Sequence, residues 1–330
     1  MSTTLPDDKD PPPRPMLAYL IGLGLGAVLL IFSYCFGIFA LHATGTLPPP
    51  QFTNNSCADE KLYFLRNNST DDADLLILGS SVAWRQFDGA AAADVSLRAR
   101  NLAFCHYNLS ETKAIADWIL PRMLRARTVI IITSPLDYQG CAGRTDAPFN
   151  LDHANAYVFD HASPFLYYFR YFDPFALLEN AARFTEDRTN PRQWNTLVMN
   201  EFGDAPMDPP GEGPSGYAEK VGMPPDAACL LALRSLASDI RESGRRLIVV
   251  DAPIAPTWKA RYDPDGTALD LLNQRVDEAL QGTGAEHWNG DAGFTPGPAG
   301  FFDAIHLRWP TAQAFARTLV QQVLLSDSAG

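Results

Sequence analysis

The stretch DLLILGSSV, residues 74–82, decides the fold, because it is an apolar run of strand length that ends in Gly and two Ser. Such an unbroken apolar run is typical of a strand that is buried on both faces of a parallel sheet. The run RTVIIITSP, residues 127–135, is rich in β-branched residues and predicts a second buried strand. These two segments together indicate a parallel sheet.

Strand and helix patterns alternate around these two runs. We predict further strands at 95–104 and 246–252, and helices at 110–126, 226–243, 267–281 and 311–325. This alternation predicts an α/β protein with a three-layer, doubly wound parallel sheet. The alternation stops at about 138–225, where we expect one long insertion. We expect the insertion to form either a lid or wall of the ligand site, or a helical subdomain that packs on the sheet.

A long apolar stretch precedes the α/β domain. Residues 16–42 contain no Lys, Arg, Asp or Glu, and about 20 apolar residues suffice to cross a bilayer core. The apolar part of a cleaved signal peptide is only about 7 to 15 residues long, so we predict an uncleaved transmembrane anchor. Lys9 and Arg14 precede this segment, and the next basic residue is Lys61. This asymmetry predicts that the N-terminus lies in the cytoplasm.

These observations divide the chain into four parts. We predict a cytoplasmic tail at 1–15, a transmembrane anchor at 16–42, a linker at 43–57 and an extracytoplasmic domain at 58–330. The protein would then be a single-pass protein of the inner (cytoplasmic) membrane, with its domain in the periplasm or outside the cell.

Composition and cysteine content restrict the possible partners. The chain has 26 basic and 38 acidic residues and a net charge of -12, so no positive field attracts nucleic acid, and we expect no nucleic-acid partner. Cysteine and histidine show no zinc-like spacing, and we expect no metal and no other cofactor. Four cysteines follow residue 42, namely Cys57, Cys105, Cys141 and Cys229. An oxidising compartment would permit two disulfides among them, and three pairings are possible.

Two short motifs carry side chains suited to nucleophilic catalysis. Ser81 follows the first buried strand in Gly79-Ser80-Ser81, where a glycine allows a sharp turn and the start of a helix would favour an oxyanion beside the hydroxyl. Asp303 and His306 stand three residues apart before the last predicted helix, a spacing that allows the carboxylate to orient the imidazole. Each motif alone is also compatible with ordinary helix capping. Their order in the alternating pattern favours a Ser-His-Asp site.

The two motifs resemble those of the SGNH (GDSL-like) hydrolase and acyltransferase superfamily, which has a flavodoxin-like sheet. The resemblance implies that Ser81 is the nucleophile and that Asp303 and His306 are the acid and base. Ser80 stands in place of the family's Asp. This variant is most similar to the envelope branch, which includes the alginate O-acetylation proteins and the D-alanine transfer protein of teichoic acids.

This branch implies a function in the cell envelope. We expect a membrane-anchored O-acyltransferase, most simply an O-acetyltransferase, that acts on an envelope or secreted polysaccharide. Its expected partner is a membrane-bound O-acyltransferase that supplies the acyl group. Two alternatives stay open, namely an SGNH-like esterase or deacetylase and a catalytically degenerate protein that binds or assembles polysaccharide.

The sequence departs from the family pattern at the expected oxyanion hole. The family's N-x-x-x-x-G block aligns with residues 101–106, so that His106 stands where a glycine is expected. The G-x-N-D block is replaced by Ser134-Pro135-Leu136-Asp137-Tyr138-Gln139, in which Gln139 or Tyr138 could replace the missing amide. Arg85 follows Ser81 by one helical turn and is a candidate for contact with an anionic substrate. Ser80, His106, Gln139 and Arg85 are therefore the expected oxyanion or substrate residues.

Overall fold

The computed structural model describes residues 14–53, 55–143, 147–189, 198–208 and 224–324. These residues form two compact units. The first unit holds the described residues of Met1–Pro48 together with Asp173–Thr185. The second unit holds those of Pro49–Phe172 and Glu186–Gly330.

The α-helices are numbered in chain order. They are α1 (Arg14–Ala43), α2 (Ser56–Asn67), α3 (Ser81–Gln86), α4 (Gly89–Ala93), α5 (Leu109–Ile119), α6 (Leu151–Val158), α7 (Phe165–Arg170), α8 (Pro174–Thr189), α9 (Ala227–Glu242), α10 (Pro256–Tyr262), α11 (Thr267–Leu280), α12 (Gly290–Gly293) and α13 (Trp309–Leu319). Short 3-10 turns cover Leu120–Arg122, Pro135–Tyr138 and Pro298–Gly300, and a π-helical turn covers Val320–Leu324.

The first unit contains the apolar helix predicted from the sequence. Its segment Met16–Ala43 has a mean hydropathy of 2.3, and within the described ranges it is the one helix that is long and apolar enough to cross a membrane. A helix of this kind is either a membrane anchor or a signal sequence. Most of α8 belongs to the same unit.

The second unit is built on a five-stranded parallel sheet. Its strands are β1 (Leu75–Gly79), β2 (Ala99–Asn101), β3 (Thr128–Thr133), β4 (Arg246–Asp251) and β5 (Glu286–Asn289). Their order is β2-β1-β3-β4-β5, and every neighbouring pair is parallel. The predicted α/β class with a doubly wound parallel sheet is therefore confirmed.

The sheet lies between two helical layers, because successive side chains of a strand point to opposite faces. Leu76 and Leu78 of β1 pack in the core that α5 and α9 cover, whereas Leu75 and Ile77 pack in the core that α3 and α13 cover. All five residues of β1 are buried, and the same holds for five of the six residues of β3. This two-sided burial explains why the strands read as unbroken apolar runs.

Three elements differ from the sequence-based expectations. The sequence did not predict β5, because Glu-His-Trp-Asn contains no apolar run and none of its residues is fully buried. Helix α5 ends at Ile119 rather than near 126, since Pro121 cannot continue an α-helix. Strand β2 covers only three residues of the predicted 95–104.

The start of the folded domain also differs slightly from the expected boundary. Helix α2 begins at Ser56, and Phe52, which lies in the expected linker 43–57, is buried. The Phe52 ring lies 4.9 Å from the ring of Tyr157 and 4.8 Å from that of Tyr167. Both tyrosines belong to the insertion at 138–225, whose described helices include α6 and α7. The end of the expected linker therefore forms part of the core.

Edge strand β5 is held by an ionic contact that predicts a pH dependence of stability. His287 Nε2 lies 2.8 Å from Asp251 Oδ2 of β4, and its Nδ1 lies 2.7 Å from Asp277 Oδ1 of α11. Burial lowers the pKa of His287, but the two carboxylates outweigh burial and raise the pKa to about 9. An unfolded histidine has a pKa of about 6.5. The contact therefore contributes its full stability below pH about 6.5 and loses it as the pH rises through about 9.

We expect the free energy of unfolding to fall by on the order of 2 kcal/mol between pH 6.5 and 9.5. In His287→Gln this decrease should disappear, because glutamine does not titrate. Thermal unfolding of the full chain in mild detergent at several pH values measures the effect. His161→Asn, a change at an exposed histidine, is the matched control and should keep the wild-type profile. An unchanged profile in His287→Gln would assign the pH dependence to another group.

Candidate active site

A small cavity opens at the carboxyl ends of β1 and β3, beside the loop that follows β2. Its volume is about 180 Å³. The cavity is lined by residues of four separate chain segments, namely Ser80, Ser81, His106, Tyr107, Asn108, Ser134, Leu136, Asp137, Gln139, Ile305 and His306. Ligands of open parallel sheets bind at this edge, so the cavity is the candidate site.

The turn at the end of β1 presents Ser81 to the cavity. Gly79 has φ +130°, and a Cβ atom at this position would lie 2.4 Å from Ile132 O and 2.9 Å from the Cβ of Ala83. Only glycine fits there. Ser80 then caps α3, since its Oγ accepts from the N–H of Val82 at 3.5 Å, and Ser81 is the first residue of the helix.

Ser81, His306 and Asp303 are connected by hydrogen bonds. Ser81 Oγ lies 2.9 Å from His306 Nε2, and His306 Nδ1 lies 2.8 Å from Asp303 Oδ2. The other oxygen of Asp303 accepts from the backbone N–H of Ile305 at 2.9 Å and from that of His306 at 2.8 Å. This arrangement favours the tautomer in which Nδ1 carries the proton and Nε2 accepts the Ser81 hydroxyl.

The environment of Asp303 keeps its carboxylate ionised. Burial raises the pKa of Asp303, but the electrostatic interaction with His306 and the hydrogen bonds from His306 and Ile305 outweigh burial and hold the pKa below its usual value. An ionised carboxylate at this position stabilises an imidazolium when the histidine accepts a proton. The residues are therefore arranged for proton transfer from Ser81 to His306.

A buried glutamine connects the serine turn to the histidine turn. Gln86, the last residue of α3, is fully buried, and its Nε2 donates to Ile305 O. The histidine turn is closed by a bond from the Phe302 N–H to His306 O at 2.8 Å. The sequence offers no signal for Gln86, because one polar residue at the end of a short helix is usually exposed.

His106 lies beside the catalytic candidates with unusual backbone geometry. Its φ is +63°, the left-handed region that a glycine would adopt without strain. Burial of the imidazole lowers the pKa of His106, and electrostatic interactions with His306 and Arg85 lower it further. His106 therefore occupies the predicted glycine position with a glycine-like backbone.

The other predicted candidates take different positions. Ser80 and Gln139 line the cavity, but Gln139 Nε2 donates to Pro224 O at 3.1 Å. Tyr138 is buried, and its hydroxyl lies 3.1 Å from Thr133 Oγ1. Arg85 is not among the residues that line the cavity, and its guanidinium lies 5.0 Å from the ring centre of Trp84.

Asp137 is a cavity residue that we did not single out from the sequence. Its carboxylate accepts from the backbone N–H of Ser134 at 2.6 Å and from the Ser134 hydroxyl at 3.2 Å, and it also bonds to Ser80. Burial raises the pKa of Asp137 to about 6. The S-x-x-D spacing of a capping box is the sequence signal that could have identified this pair. Asp137 therefore connects the loop after β3 to the serine turn.

Two disulfides hold the loops on either side of the cavity. Cys57 pairs with Cys105, which is next to His106 in the chain. Cys141, which follows Gln139 by two residues, pairs with Cys229. This pairing is one of the three that the sequence left open. Each bond joins a cavity loop to a helix, α2 or α9, so the disulfides restrict the motion of both loops.

A buried polar network lies behind the site. Asn101, the first residue of the N-x-x-x-x-G block, donates from Nδ2 to Ala83 O at 2.9 Å and to Asp204 Oδ1 at 2.8 Å. Lys61 donates to Asn101 O at 2.9 Å, and burial lowers the pKa of Lys61 to about 7. Asn101 therefore holds α3 in place rather than lining the cavity. Across the described ranges, no group of three or more His, Cys, Asp or Glu side chains is placed to hold a metal ion.

Several solved structures resemble this chain at low sequence identity. No protein-family model and no curated protein matches the chain. A catalytic mutant of Axe2, an acetylxylan esterase from Geobacillus stearothermophilus, is 12% identical with a TM-score of 0.40, over 77% of this chain and 95% of that one. TesA is 12% identical with a TM-score of 0.39, over 77% and 98%. A carbohydrate acetylesterase family member from Sinorhizobium meliloti is 9% identical with a TM-score of 0.33, over 76% and 98%. Similarity at this level carries no information about the activity of this chain.

Proposed function

We propose that this protein is an SGNH-like enzyme that transfers or removes an O-acyl group by serine chemistry. The observation that carries the proposal is the hydrogen-bonded series from Ser81 Oγ through His306 to Asp303, with distances of 2.9 and 2.8 Å. A hydroxyl that shares its proton with an oriented imidazole is an activated nucleophile. The two motifs that carry the family resemblance supply these three residues.

In the first half of the proposed reaction, Ser81 Oγ attacks the carbonyl carbon of an acyl ester while its proton passes to His306 Nε2. The bond to the alcohol oxygen of the donor then breaks, and His306 returns the proton to this leaving oxygen. The acyl group stays on Ser81 as an ester. Asp303 remains ionised and holds the imidazolium in position.

In the second half, His306 Nε2 takes a proton from the hydroxyl of an acceptor. The acceptor oxygen attacks the carbonyl carbon of acyl-Ser81, and the Ser81 oxygen leaves with the proton from His306. A sugar hydroxyl as acceptor makes the protein a transferase, and water makes it an esterase. The three residues play the same roles in both cases.

We propose that two backbone N–H groups stabilise the oxyanion. Ser81 is the first residue of α3, so its N–H has no partner within the helix. His106 supplies the second N–H, and its left-handed backbone, with φ +63°, costs about 1 kcal/mol for a residue other than glycine. Backbone strain of this kind is concentrated at functional sites.

The cavity favours a small acyl group. Its volume of about 180 Å³ is below the roughly 300–1,000 Å³ of pockets that bind drug-sized ligands. An acetyl group is compatible with this space, whereas a long acyl chain would extend out of it. This is the basis for proposing O-acetyl chemistry. The proposal of a polysaccharide hydroxyl as acceptor rests on the family resemblance alone.

The proposed location is the cell envelope. We propose that residues 16–42 anchor the chain in the inner membrane, with 1–15 in the cytoplasm and the domain outside it. The two disulfides support an oxidising compartment. A membrane-bound O-acyltransferase would then supply the acyl group from the cytoplasmic side.

A labelling experiment followed by product analysis tests the proposal. The full chain in mild detergent is treated with a fluorophosphonate, and we expect one adduct, located on Ser81 by peptide mass. An aryl acetate is then supplied with an unacetylated oligosaccharide. Acetylated oligosaccharide identifies a transferase, and acetate alone identifies an esterase. If protein with both disulfides intact gives no adduct, the enzyme proposal is rejected in favour of a polysaccharide-binding protein.

A further inference from the structure

The chain exposes a dense series of large apolar side chains between residues 165 and 178, here called the apolar segment. Its sequence is FLYYFRYFDPFALL. Phe175 is 82% exposed, Leu166 is 64% exposed and Leu178 is 63% exposed, and the segment also exposes Phe165, Phe169 and Phe172. Elsewhere in the described chain beyond α1, exposed large apolar side chains are scattered singly, at Tyr63, Leu124, Val198, Leu231 and Leu271. Single exposed residues are ordinary, but a concentrated series marks an interaction surface.

The exposed residues are not needed for the packing of their own helices. In α7, Tyr167 and Tyr168 are buried, whereas Leu166 and Phe169, three residues apart, are exposed. Residues three apart lie on one face of a helix. The apolar segment therefore presents a surface in addition to the one that α7 buries.

Helix α8 repeats this division between two faces. Leu177, Ala181 and Phe184 are buried at helical spacing, whereas Phe175 and Leu178 are exposed. The buried set already supplies the packing face of this helix. The exposed pair therefore forms a second apolar face.

The grouping of α8 with α1 in one unit favours lipid as the partner of this exposed face. Asp173–Thr185 forms one compact unit with the described residues of Met1–Pro48, which include α1. A segment that packs with a membrane-spanning helix and exposes phenylalanine and leucine meets lipid at the bilayer surface. Residues 165–172 belong to the second unit and directly precede this segment in the chain.

We propose that the apolar segment 165–178 is a membrane-contacting surface that inserts its Phe and Leu side chains into the bilayer that α1 spans. The proposal rests on the proposed membrane anchor at 16–42. The contact is hydrophobic rather than electrostatic, because the segment contains one arginine, Arg170, and one aspartate, Asp173. It therefore requires no anionic lipid.

Site-specific fluorescence in vesicles tests the proposal. The full chain carrying Cys35→Ala is labelled with nitrobenzoxadiazole at Leu166→Cys or Leu178→Cys and reconstituted into phosphatidylcholine vesicles. A nitroxide on a shallow acyl-chain carbon should quench both labels at least about two-fold, because each lies at the depth of an interfacial helix. Leu231→Cys is the matched control, since it is an exposed leucine of α9, and its label should not be quenched.

The remaining outcomes separate this inference from the anchor itself. In the otherwise unmodified chain, the native Cys35 in α1 is labelled before reconstitution, and its label reports whether the helix lies in lipid. Quenching at Cys35 without quenching at 166 and 178 overturns the membrane-contacting surface and leaves the anchor intact. Blue-shifted but unquenched labels at 166 and 178 mean that protein covers the segment, which also overturns the proposal. If Cys35 is not quenched, the anchor and this inference both fail.

Discussion

Replacing Ser81 by Ala is expected to reduce kcat on an acetyl ester by on the order of 10⁶-fold, because no other group can carry the acyl intermediate. The hydroxyl is 2.9 Å from His306 Nε2, so the two side chains act as one unit. Loss of His306 in His306→Ala should therefore have a similar effect, and the double variant should be no slower than either single variant. The comparison uses the rates of aryl acetate hydrolysis. Initial rates are measured for the wild type, and single-turnover rates for variants that are too slow for initial rates.

Control variants separate loss of chemistry from loss of fold. Ser235→Ala changes an exposed serine on α9 and should retain the wild-type rate. The Ser81→Ala protein should unfold at the wild-type temperature, because removing one hydroxyl from the cavity wall opens no core cavity. Retention of more than about 1% of the wild-type rate in Ser81→Ala would exclude this serine as the nucleophile.

Replacing Gly79 by Ala is expected to destabilise the protein by about 3 to 5 kcal/mol through backbone strain and steric overlap. The new Cβ would lie 2.4 Å from the carbonyl oxygen of Ile132, which belongs to the neighbouring strand β3. Neither this backbone atom nor Ala83, 2.9 Å away, can move without disturbing the sheet or α3. The serine turn would shift, so that activity falls together with stability.

Gly244 provides the matched control for this variant. Its φ is +74°, and a Cβ atom would meet no heavy atom within 4 Å. Gly244→Ala should therefore show only the left-handed strain of about 1 to 2 kcal/mol, with normal activity. Thermal unfolding of both variants in mild detergent measures the difference. Equal destabilisation of the two variants would mean that the contact with Ile132 O has no energetic effect.

Local sequence patterns were sufficient to predict the sheet and to select the candidate site residues. The apolar runs at 74–82 and 127–135 predicted β1 and β3, because strands that are buried on both faces must be apolar along their whole length. The motifs around Ser81 and His306 predicted a site at the carboxyl edge of the sheet. The structure brings these two side chains to hydrogen-bond distance although 225 residues separate them in the chain.

Elements with weak local signals were not predictable in this way. Strand β5 is polar and lies at the edge of the sheet. It is a strand because it pairs with β4, and its composition gives no sign of this pairing. Gln86 and Asp137 became visible as part of the site only through their contacts with Ile305 and with Ser80. Polar residues of this kind have no periodicity to identify them.

The sequence by itself determined the α/β class, the apolar N-terminal helix and the candidates Ser81, Asp303 and His306, because each depends on the order of residues within a short segment. The tertiary structure alone decided the Cys57–Cys105 and Cys141–Cys229 pairing, the left-handed backbone of His106 and the exposure of residues 165–178. These features depend on which distant segments meet, and on which apolar side chains remain at the surface once the core is filled. Local sequence propensity predicts neither the contacts between distant segments nor the exposed apolar side chains, because both depend on packing between segments far apart in the chain.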